Sequence, residues 1–287
     1  MRFGQPVGEL IRLSLKEDVG SGDVTTSLVV PAGQRASAFI YAKGSGVLAG
    51  IEVAGQVLKT IDKRIRFKPL FQDGQHIRKG YRIARIEGRA ASILTAERTA
   101  LNFLQRLSGV ATLTWQYVQK VSGTGVKICD TRKTTPGWRE LEKYAVRMGK
   151  GRNHRRGLYD QILIKDNHIK TAGSLARTLT RVKSKNAGKL SFEIEVSNAS
   201  ELNQALLGGA DWVMLDNFSI PKLKRAILMV RMFSKINKKK VRVEVSGDVS
   251  LENVRWIARL GPDLISVGKI THSAPAVDFS LGIDKVR

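Results

Sequence analysis

The sequence predicts an α/β fold in which a small N-terminal α+β part precedes a seven-stranded barrel or near-barrel. Two observations predict it. Beyond about residue 110, short apolar runs begin near residues 126, 145, 162, 191, 212, 241 and 264, and helical patterns separate most of them. This alternation is typical of βαβ units with parallel strands. In addition, nearly every run ends in a polar residue, as strands do at the active-site rim of an α/β barrel.

The N-terminal part has a different pattern. Leu10, Ile11, Leu13 and Leu15 mark an amphipathic helix that ends near Gly20. Short alternating segments then predict strands at Ala36–Tyr41, Gly46–Ala49, Arg64–Pro69 and Arg82–Glu87, and Ile93–Leu107 reads as a helix. We therefore expect an N-terminal sandwich-like domain over residues 1–110 and a catalytic barrel over 111–274, with 275–287 packing back on the first domain.

The composition is that of a globular protein with a sizeable core. The chain has 287 residues, of which 42% are hydrophobic, and no apolar run approaches the roughly 20 residues that span a bilayer. The single cysteine, Cys129, excludes an intramolecular disulfide and a multi-cysteine zinc site. Because the N-terminus lacks the apolar region of a signal peptide, we expect a cytoplasmic protein without a membrane partner.

The charge balance raises nucleic acid as a partner, since 49 Lys and Arg against 25 Asp and Glu give +24. However, the cations are spread along the whole chain, and the 6% of aromatic residues do not interleave with the basic runs as a stacking platform requires. The densest run, Lys235–Lys240, looks like a polar connector. We predict no nucleic-acid partner, and a basic nucleic-acid-binding protein remains the alternative from another class.

Cationic side chains follow three of the predicted strands. They are Arg132 and Lys133 after the first run, Arg155 in the cluster that follows, and Lys165 after the run near 162. Like charges grouped in one pocket are costly without a partner, so a polyanion is the expected ligand. Arginine suits carboxylates and phosphates bidentately, whereas lysine acts as a mobile point charge. His154 and His168 lie beside these clusters and are candidates for anion binding or proton transfer.

Glu195 and Asp216 end two successive strand runs. Three roles are open to them: a general acid and base, oxygen ligands for Mg²⁺, or acceptors for sugar hydroxyls. A structural ion pair with the cations is the simpler alternative. Small residues, Ser246 with Gly247 and then Gly268, follow the last two runs, where barrels often bind phosphate with backbone N–H groups.

Several longer motifs occur together in the chain. They are Gly20 to Thr26, Glu97 to Asn102, Leu107 to Gly109, Thr131 to Gly137, Glu142 to Tyr144, Asn153 to Arg155, Lys165 to His168, Leu215 to Asn217 and Ser266 to Gly268. As a set they closely resemble the quinolinate phosphoribosyltransferase family, and the likeness covers almost the whole chain. The segments Arg132 to Gly137 and Lys165 to His168 are the most specific.

The resemblance implies a reaction, a fold and an assembly. Quinolinate and phosphoribosyl pyrophosphate would give nicotinate mononucleotide, pyrophosphate and CO₂, with Mg²⁺ as cofactor. The fold would be a sandwich-like N-terminal domain with an incomplete seven-stranded α/β barrel. The assembly would be a homodimer or homohexamer in which Arg98 enters the neighbouring subunit's site.

The resemblance also implies site residues, carried over by position. Lys133, Lys165, Glu195 and Asp216 would be catalytic, and Glu195 and Asp216 would face the ribose and Mg²⁺. Substrate-binding residues would be Arg98, Thr131, Arg132, Lys133, His154, Arg155, Lys165, Glu195, Asp216, Ser246, Gly247, Val267 and Gly268. Two positions depart from the family pattern, since Lys150 and Asp248 stand where glycine is usual. The nearest alternative is a related phosphoribosyl- or glycosyltransferase that acts on a different acid.

Overall fold

The computed structural model describes residues 4–186 and 190–287. The first half contains α1 (Gln5–Val19), α2 (Val24–Val29), β1 (Arg35–Ala42), β2 (Gly46–Val47), α3 (Ile51–Ile61), β3 (Arg66–Pro69), β4 (His76–Ile77), β5 (Arg82–Arg89), α4 (Ala90–Lys120), β6 (Lys127–Cys129) and α5 (Arg139–Met148). The second half contains β7 (Ile162–Ile164), α6 (Asp166–Ala172), α7 (Leu175–Asn186), β8 (Phe192–Val196), α8 (Ala199–Leu207), β9 (Trp212–Asp216), α9 (Ile220–Ile236), β10 (Arg242–Ser246), α10 (Val254–Arg259), β11 (Leu264–Ser266), α11 (Lys269–His272) and β12 (Phe279–Val286).

These elements form two compact units. The first comprises the chain up to Trp115 together with Lys133–Lys150 and Lys269–Arg287, and the second comprises Gln116–Arg132 and Gly151–Gly268. The division into domains of residues 1–110 and 111–274 stays a prediction. The segment 133–150 leaves the second unit and joins the first.

The first unit is built on a four-stranded antiparallel sheet with the order β12-β1-β5-β3. Its core face follows from alternation along β1, where Ala38, Ile40 and Ala42 are fully buried. The apolar faces of α3 and α4 supply further fully buried side chains, Leu58 and Leu104 among them. The C-terminal strand β12 pairs with β1 from Ala36↔Val286 to Ala42↔Phe279, so residues 279–286 belong to this sheet.

The second unit contains a parallel sheet, which within the described residues has six strands in the order β6-β11-β10-β9-β8-β7. A single parallel bridge between Cys129 and Arg152 extends it beyond β6. The strand predicted near residue 145 is wrong, because that segment forms α5. The apolar residues of this segment have the helical spacing of three and four: Leu141, Tyr144, Ala145 and Met148. This helical period, rather than the short apolar run near 145, determines the secondary structure.

Alternation along the parallel strands separates apolar from polar side chains. In β8, Phe192, Ile194 and Val196 are buried on one face, while Glu193 and Glu195 share the other. The register pairs Asp216 with Ser246, so polar side chains lie side by side where β9 and β10 end. In the part of the chain that the structure describes, no helix is both long and apolar enough to cross a membrane.

Candidate active site

Predicted site residues lie at the carboxyl ends of the parallel strands of the second unit. Thr131 and Arg132 follow β6, Lys165 follows β7, Glu195 lies in β8, Asp216 and Ser246 end β9 and β10, and Val267 and Gly268 follow β11. Because the strands are parallel and adjacent in one sheet, these groups share one edge. The geometry therefore brings cations, carboxylates and small residues together as the sequence predicts.

Lys165 and Glu195 form an ion pair between Nζ and Oε2 at this edge. The Lys165 side chain is 44% exposed and that of Glu195 15%, so the lysine remains accessible. The Lys165 N–H donates to His168 Nδ1 at 2.9 Å, which holds the backbone at the start of α6. In this structure His168 therefore acts on Lys165 through the main chain.

Asp130, a buried residue that directly precedes Thr131, connects two of the motifs. One carboxylate oxygen accepts from Asn153 Nδ2 at 2.6 Å, and the other accepts from the His154 N–H at 2.8 Å. Charge-assisted hydrogen bonds of this kind are among the strong ones. They hold the segment of His154 and Arg155 against the end of β6.

The His154 ring points away from solvent, into a buried cluster. Its Nε2 lies 3.1 Å from Glu193 Oε2 and 3.4 Å from Glu244 Oε2, and both glutamate side chains are 0% exposed. Burial acts to lower the pKa of His154, whereas the hydrogen bonds and charges of Glu193 and Glu244 act to raise it. On the other side of the ring, the Arg155 N–H donates to Nδ1 at 2.8 Å.

This last contact opposes protonation, because a hydrogen on Nδ1 would face the hydrogen of the Arg155 N–H. The neutral tautomer with hydrogen on Nε2, which points to Glu193, satisfies both contacts of the ring. An Nε2 that carries hydrogen has no lone pair for a cation, so the cluster of His154, Glu193 and Glu244 does not fit a metal site in this arrangement.

The glutamates themselves are held by neighbouring polar groups. Glu193 Oε2 also accepts from Gln161 Nε2 at 3.1 Å, and Glu244 Oε1 accepts from Ser266 Oγ at 2.5 Å. Burial, and next the charge of Glu244, raise the pKa of Glu193 to about 7. Among the residues that the structure describes, Glu193 Oε1 and Glu244 Oε2 have no hydrogen-bond partner, and a proton shared by the two carboxyl groups would satisfy both.

Arg155 lies beside this cluster and is only 8% exposed. Its Nη1 donates to the Gln161 carbonyl oxygen at 3.2 Å. Burial and then the charge of Arg132 lower the pKa of Arg155, whereas the charge of Glu193 acts in the opposite direction. Arg132 and Arg155 are thus close enough to repel each other, and a carboxylate offsets part of that repulsion.

Small residues and an unusual turn follow β9 and β10. The Asn217 N–H donates to the Ser246 carbonyl oxygen at 3.1 Å, and Asn217 Nδ2 donates to Asp216 Oδ2 at 2.7 Å. Gly247 has φ +91°, and a Cβ there would lie 2.9 Å from the Asn217 nitrogen. Only glycine fits this position without displacement.

Two predicted site residues, Arg98 and Lys133, belong to the first unit. Arg98 is exposed on α4, and the Lys133 carbonyl oxygen accepts from Thr271 Oγ1 at 2.7 Å. The turn after Lys133 is anchored by Glu142, whose carboxylate accepts from the N–H and Oγ1 of Thr135 at 3.1 and 2.9 Å. Arg106 donates to the same carboxylate at 2.8 Å.

Comparison with known proteins tests the resemblance. The family model of the quinolinate phosphoribosyl transferase N-terminal domain matches residues 23–108, and that of the C-terminal domain matches residues 110–282. The chain belongs to the quinolinate phosphoribosyltransferase family. It is 39% identical to a probable nicotinate-nucleotide pyrophosphorylase (carboxylating) of Bacillus subtilis over 93% of this chain and 90% of the relative. An Arabidopsis thaliana relative of the same name, chloroplastic, is 37% identical over 96% of this chain and 82% of its own length.

Solved structures of the family agree with this assignment. The nicotinate-nucleotide pyrophosphorylase of Francisella tularensis superposes with a TM-score of 0.91 at 42% identity, over 99% of this chain and 98% of that one. NadC from Streptococcus pyogenes also gives a TM-score of 0.91, at 35% identity over 100% and 99% of the two chains. The predicted α/β fold class, the family and the transferase class of this phosphoribosyltransferase are confirmed.

Both departures from the family's glycine pattern lie in left-handed backbone. Lys150 has φ +67° and Asp248 has φ +42°, conformations that favour glycine. Asp248 is exposed, and its main-chain oxygen accepts from Asn253 Nδ2 at 2.9 Å. Glycine adopts left-handed backbone without strain, which explains why the family pattern has glycine at these two positions.

Sequence reasoning missed the buried polar residues of this phosphoribosyltransferase, namely Asp130, Gln161, Glu193, Glu244 and Ser266. A signal for two of them was present. Glu193 precedes Glu195 by two residues, and Glu244 precedes Ser246 by two, so each shares a strand face with a predicted site residue. A carboxylate inside an otherwise apolar strand is unusual and indicates a buried partner.

Proposed function

We propose that this protein transfers the phosphoribosyl group of phosphoribosyl pyrophosphate to quinolinate with loss of CO₂, and so forms nicotinate mononucleotide and pyrophosphate. The observation that carries the proposal is the meeting of Arg132, Arg155 and Lys165 with Glu195 and Asp216 at one sheet edge, in a chain that belongs to this family throughout. Quinolinate is a dianion and the donor carries several more negative charges, so clustered cations are required to bring them together.

The first chemical step forms a bond between the pyridine nitrogen and C1 of the ribose. The C1–O bond breaks and pyrophosphate leaves with its electron pair, so positive charge develops on the ribose. Glu195 and Asp216 lie where their carboxylates would stabilise that charge. Lys165 would contact the substrate anions, and its pairing with Glu195 holds Nζ in place before they arrive.

The second step breaks the bond between the ring and the 2-carboxylate. CO₂ leaves, the electron pair stays on the ring carbon, and that carbon then takes a proton. The N-ribosylated pyridinium stabilises this carbanion, so the protein's part is to orient the dicarboxylate with Arg132 and Arg155. Thr131 would contribute to the part of this site that the second unit supplies, whereas roles for Arg98, Lys133 and His154 at quinolinate stay predictions.

Phosphate groups and Mg²⁺ would lie on the opposite side of the ribose. The loops at Ser246 with Gly247 and at Val267 with Gly268 would supply hydroxyl and backbone groups to phosphate. The carboxylate oxygens of Glu195 and Asp216 are donors that Mg²⁺ prefers, and these residues would hold it. The ion, when bound, would neutralise charge on the pyrophosphate.

Incubation of the purified protein with quinolinate, phosphoribosyl pyrophosphate and Mg²⁺ tests the reaction. We expect nicotinate mononucleotide and CO₂ in equal amounts. Product from nicotinate but not from quinolinate would overturn the substrate assignment and favour a related transferase with another acid. Retention of the protein on nucleic acid with a steep salt dependence, and no product, would favour the nucleic-acid alternative. A cytoplasmic location stays a prediction.

We also propose a homodimer or homohexamer in which Arg98 acts in the neighbouring subunit's site. Arg98 lies in the first unit, while most other site residues lie in the second. Mixing inactive Arg98→Ala and Lys165→Ala proteins under conditions of subunit exchange tests this. Recovered activity would support a shared site, because one mixed site would be intact. Continued inactivity, with exchange verified, would place Arg98 in its own subunit's site.

A further inference from the structure

Two glutamates, Glu193 and Glu244, are buried beneath the rim with no solvent exposure. Burial of a carboxylate costs several kcal/mol, and a protein in which apolar residues of similar size replace buried ionic groups is often no less stable. Stability alone therefore does not account for them. Their contacts lead to the quinolinate side of the site instead.

Two hydrogen-bonded routes connect Glu193 to Arg155. In one, His154 Nε2 contacts Glu193 Oε2 at 3.1 Å while Nδ1 accepts from the Arg155 N–H at 2.8 Å. In the other, the Gln161 side chain donates from Nε2 to Glu193 Oε2 at 3.1 Å, while the main-chain carbonyl oxygen of Gln161 accepts from Arg155 Nη1 at 3.2 Å. The main chain of Arg155, through the His154 ring, and its guanidinium, through the residue Gln161, are thus both linked to the same carboxylate.

Glu244 approaches the same ring nitrogen as Glu193. Its Oε2 lies 3.4 Å from His154 Nε2, and its Oε1 is held by Ser266 Oγ at 2.5 Å. His154 Nε2 therefore faces carboxylates from two separate strands, β8 and β10, while Nδ1 faces the Arg155 N–H. A ring held at both nitrogens cannot turn without breaking the contact with the Arg155 N–H.

We propose that Glu193 and Glu244 are positioning residues which, through His154 and Gln161, hold the Arg155 guanidinium ready for a carboxylate of quinolinate. The proposal rests on the proposed function. Neither glutamate touches the substrate in this account. The charge of Glu193 also offsets part of the repulsion between Arg132 and Arg155 before the dianion binds.

Glu193→Gln and Glu244→Gln test the proposal by steady-state kinetics with each substrate varied in turn. We expect the KM for quinolinate to rise about tenfold, the loss that one positioning hydrogen bond typically causes, with the KM for phosphoribosyl pyrophosphate unchanged. A merely structural role would not separate the two substrates. Glu201→Gln, on α8 of the same unit, is the control and should leave both KM values unchanged.

If a glutamine variant fails to fold, Gln161→Ala removes one route at a half-buried side chain and should raise the same KM. Folded variants with unchanged kinetics, or with both KM values raised together, would overturn the positioning role. Wild-type protein that forms no nicotinate mononucleotide would instead overturn the proposed function, so the two failures are distinguishable.

A second inference comes from a cleft of about 490 Å³ in the first unit. Six cations and one carboxylate, Glu87, line it, and Glu87 lies opposite Arg66 in the register of β3 and β5. The cations are Lys59, Lys63, Arg64, Arg66, Lys68 and Arg85. Arg85 pairs with Glu87 at 2.6 Å, and Arg64 pairs with Asp62 at 2.9 Å. Within residues 4–186 and 190–287, the remaining four have no carboxylate partner.

The β3–β5 register makes this arrangement costly. Lys68 lies directly opposite Arg85 in the antiparallel pair, and like charges directly opposite destabilise a sheet. A bound anion would remove that cost. We infer that the cleft binds a short chain of phosphate groups, free or as part of a nucleotide, because its volume suits a small ligand and its charge suits several phosphates.

Calorimetric titration with inorganic tripolyphosphate tests this, with a nucleoside triphosphate as the second arm. We expect Lys59→Glu/Lys68→Glu to weaken tripolyphosphate binding by more than about tenfold. Lys222→Glu/Lys224→Glu on α9 makes the same change in net charge and should bind as the wild type does. Equal weakening in both double variants, or none in the first, would overturn the site. Binding of single-stranded RNA but not of tripolyphosphate would overturn the ligand class.

Discussion

Lys165 Nζ and Glu195 Oε2 form an ion pair between the ends of the adjacent parallel strands β7 and β8. The pair holds an accessible ammonium group at the edge where the cations, carboxylates and small residues meet. Lys165 is also fixed at its main chain, by the hydrogen bond from its N–H to His168. The lysine is therefore pre-positioned before a substrate binds.

Lys165→Ala and Arg132→Ala should lose most of the turnover while the protein remains folded. We expect a fall of about a hundredfold or more, since charges aimed at a developing or transferred anion contribute on that scale. Product formation measures turnover, and circular dichroism shows whether the variants are folded. Lys170→Ala, which removes an exposed pair with Asp166 on the neighbouring α6, is the matched control and should be fully active. Wild-type kinetics in both site variants would refute the site.

Arg106→Ala should destabilise the first unit by about 3–5 kcal/mol, because it leaves the buried Glu142 carboxylate without its charged partner. The pair is 2.8 Å long, and the Glu142 side chain has no exposure. Urea unfolding measures the change. Lys170→Ala breaks an exposed pair and should cost less than about 1 kcal/mol. An equally small effect of Arg106→Ala would show that the Thr135 donors suffice for Glu142.

Buried Glu193 should make stability depend on pH. Its pKa is raised from 4.5 to about 7, chiefly by burial, so the folded protein binds more protons than the unfolded chain between these values. The stabilising contribution of Glu193 should therefore be fully present below about pH 4.5 and be lost as pH rises through about 7. Denaturant unfolding across this window, compared between wild type and Glu193→Gln, isolates the contribution. Parallel pH profiles of the two proteins would contradict it.

Features that depend on short-range sequence pattern were predicted, whereas contacts between distant segments were not. Periodicity predicted the parallel strands of the second unit and also β1, β2, β3 and β5 of the first unit, but it did not predict β4 or β12. It also predicted a strand near 145, where Leu141 and Met148 extend a helical period beyond the apolar residues that suggested a strand. Charge predicted the exposed rim groups such as Lys165. The buried polar contacts of Asp130 and Gln161 depend on which loops meet in space, which short-range pattern does not specify.

Lys150→Gly and Asp248→Gly should each raise the free energy of unfolding by about 0.5–1 kcal/mol. Left-handed backbone costs an ordinary residue about 1–2 kcal/mol, and the greater freedom of glycine in the unfolded chain cancels part of that gain. Thermal or urea unfolding measures it. Lys224→Gly, inside α9, is the opposite control and should lower stability by about 1 kcal/mol. Destabilisation by both test variants would mean that side-chain contacts, not backbone strain, dominate there.

Gly109→Ala should destabilise the protein even though alanine is the better helix former. Gly109 lies inside α4, and a Cβ there would approach the Pro275 carbonyl group, with its carbon at 3.0 Å, and the Ala276 Cα at 3.1 Å. Main chain cannot yield as a side chain does, so the segment that leads into β12 would have to move. Gly8→Ala in α1 is the matched control, since its Cβ would meet only Arg12 Nη1 at 3.8 Å. We expect Gly8→Ala to stabilise by about 0.5–1 kcal/mol and Gly109→Ala to lower the unfolding midpoint. If both substitutions raised the midpoint, the close approach of Pro275 to α4 would not be a constraint.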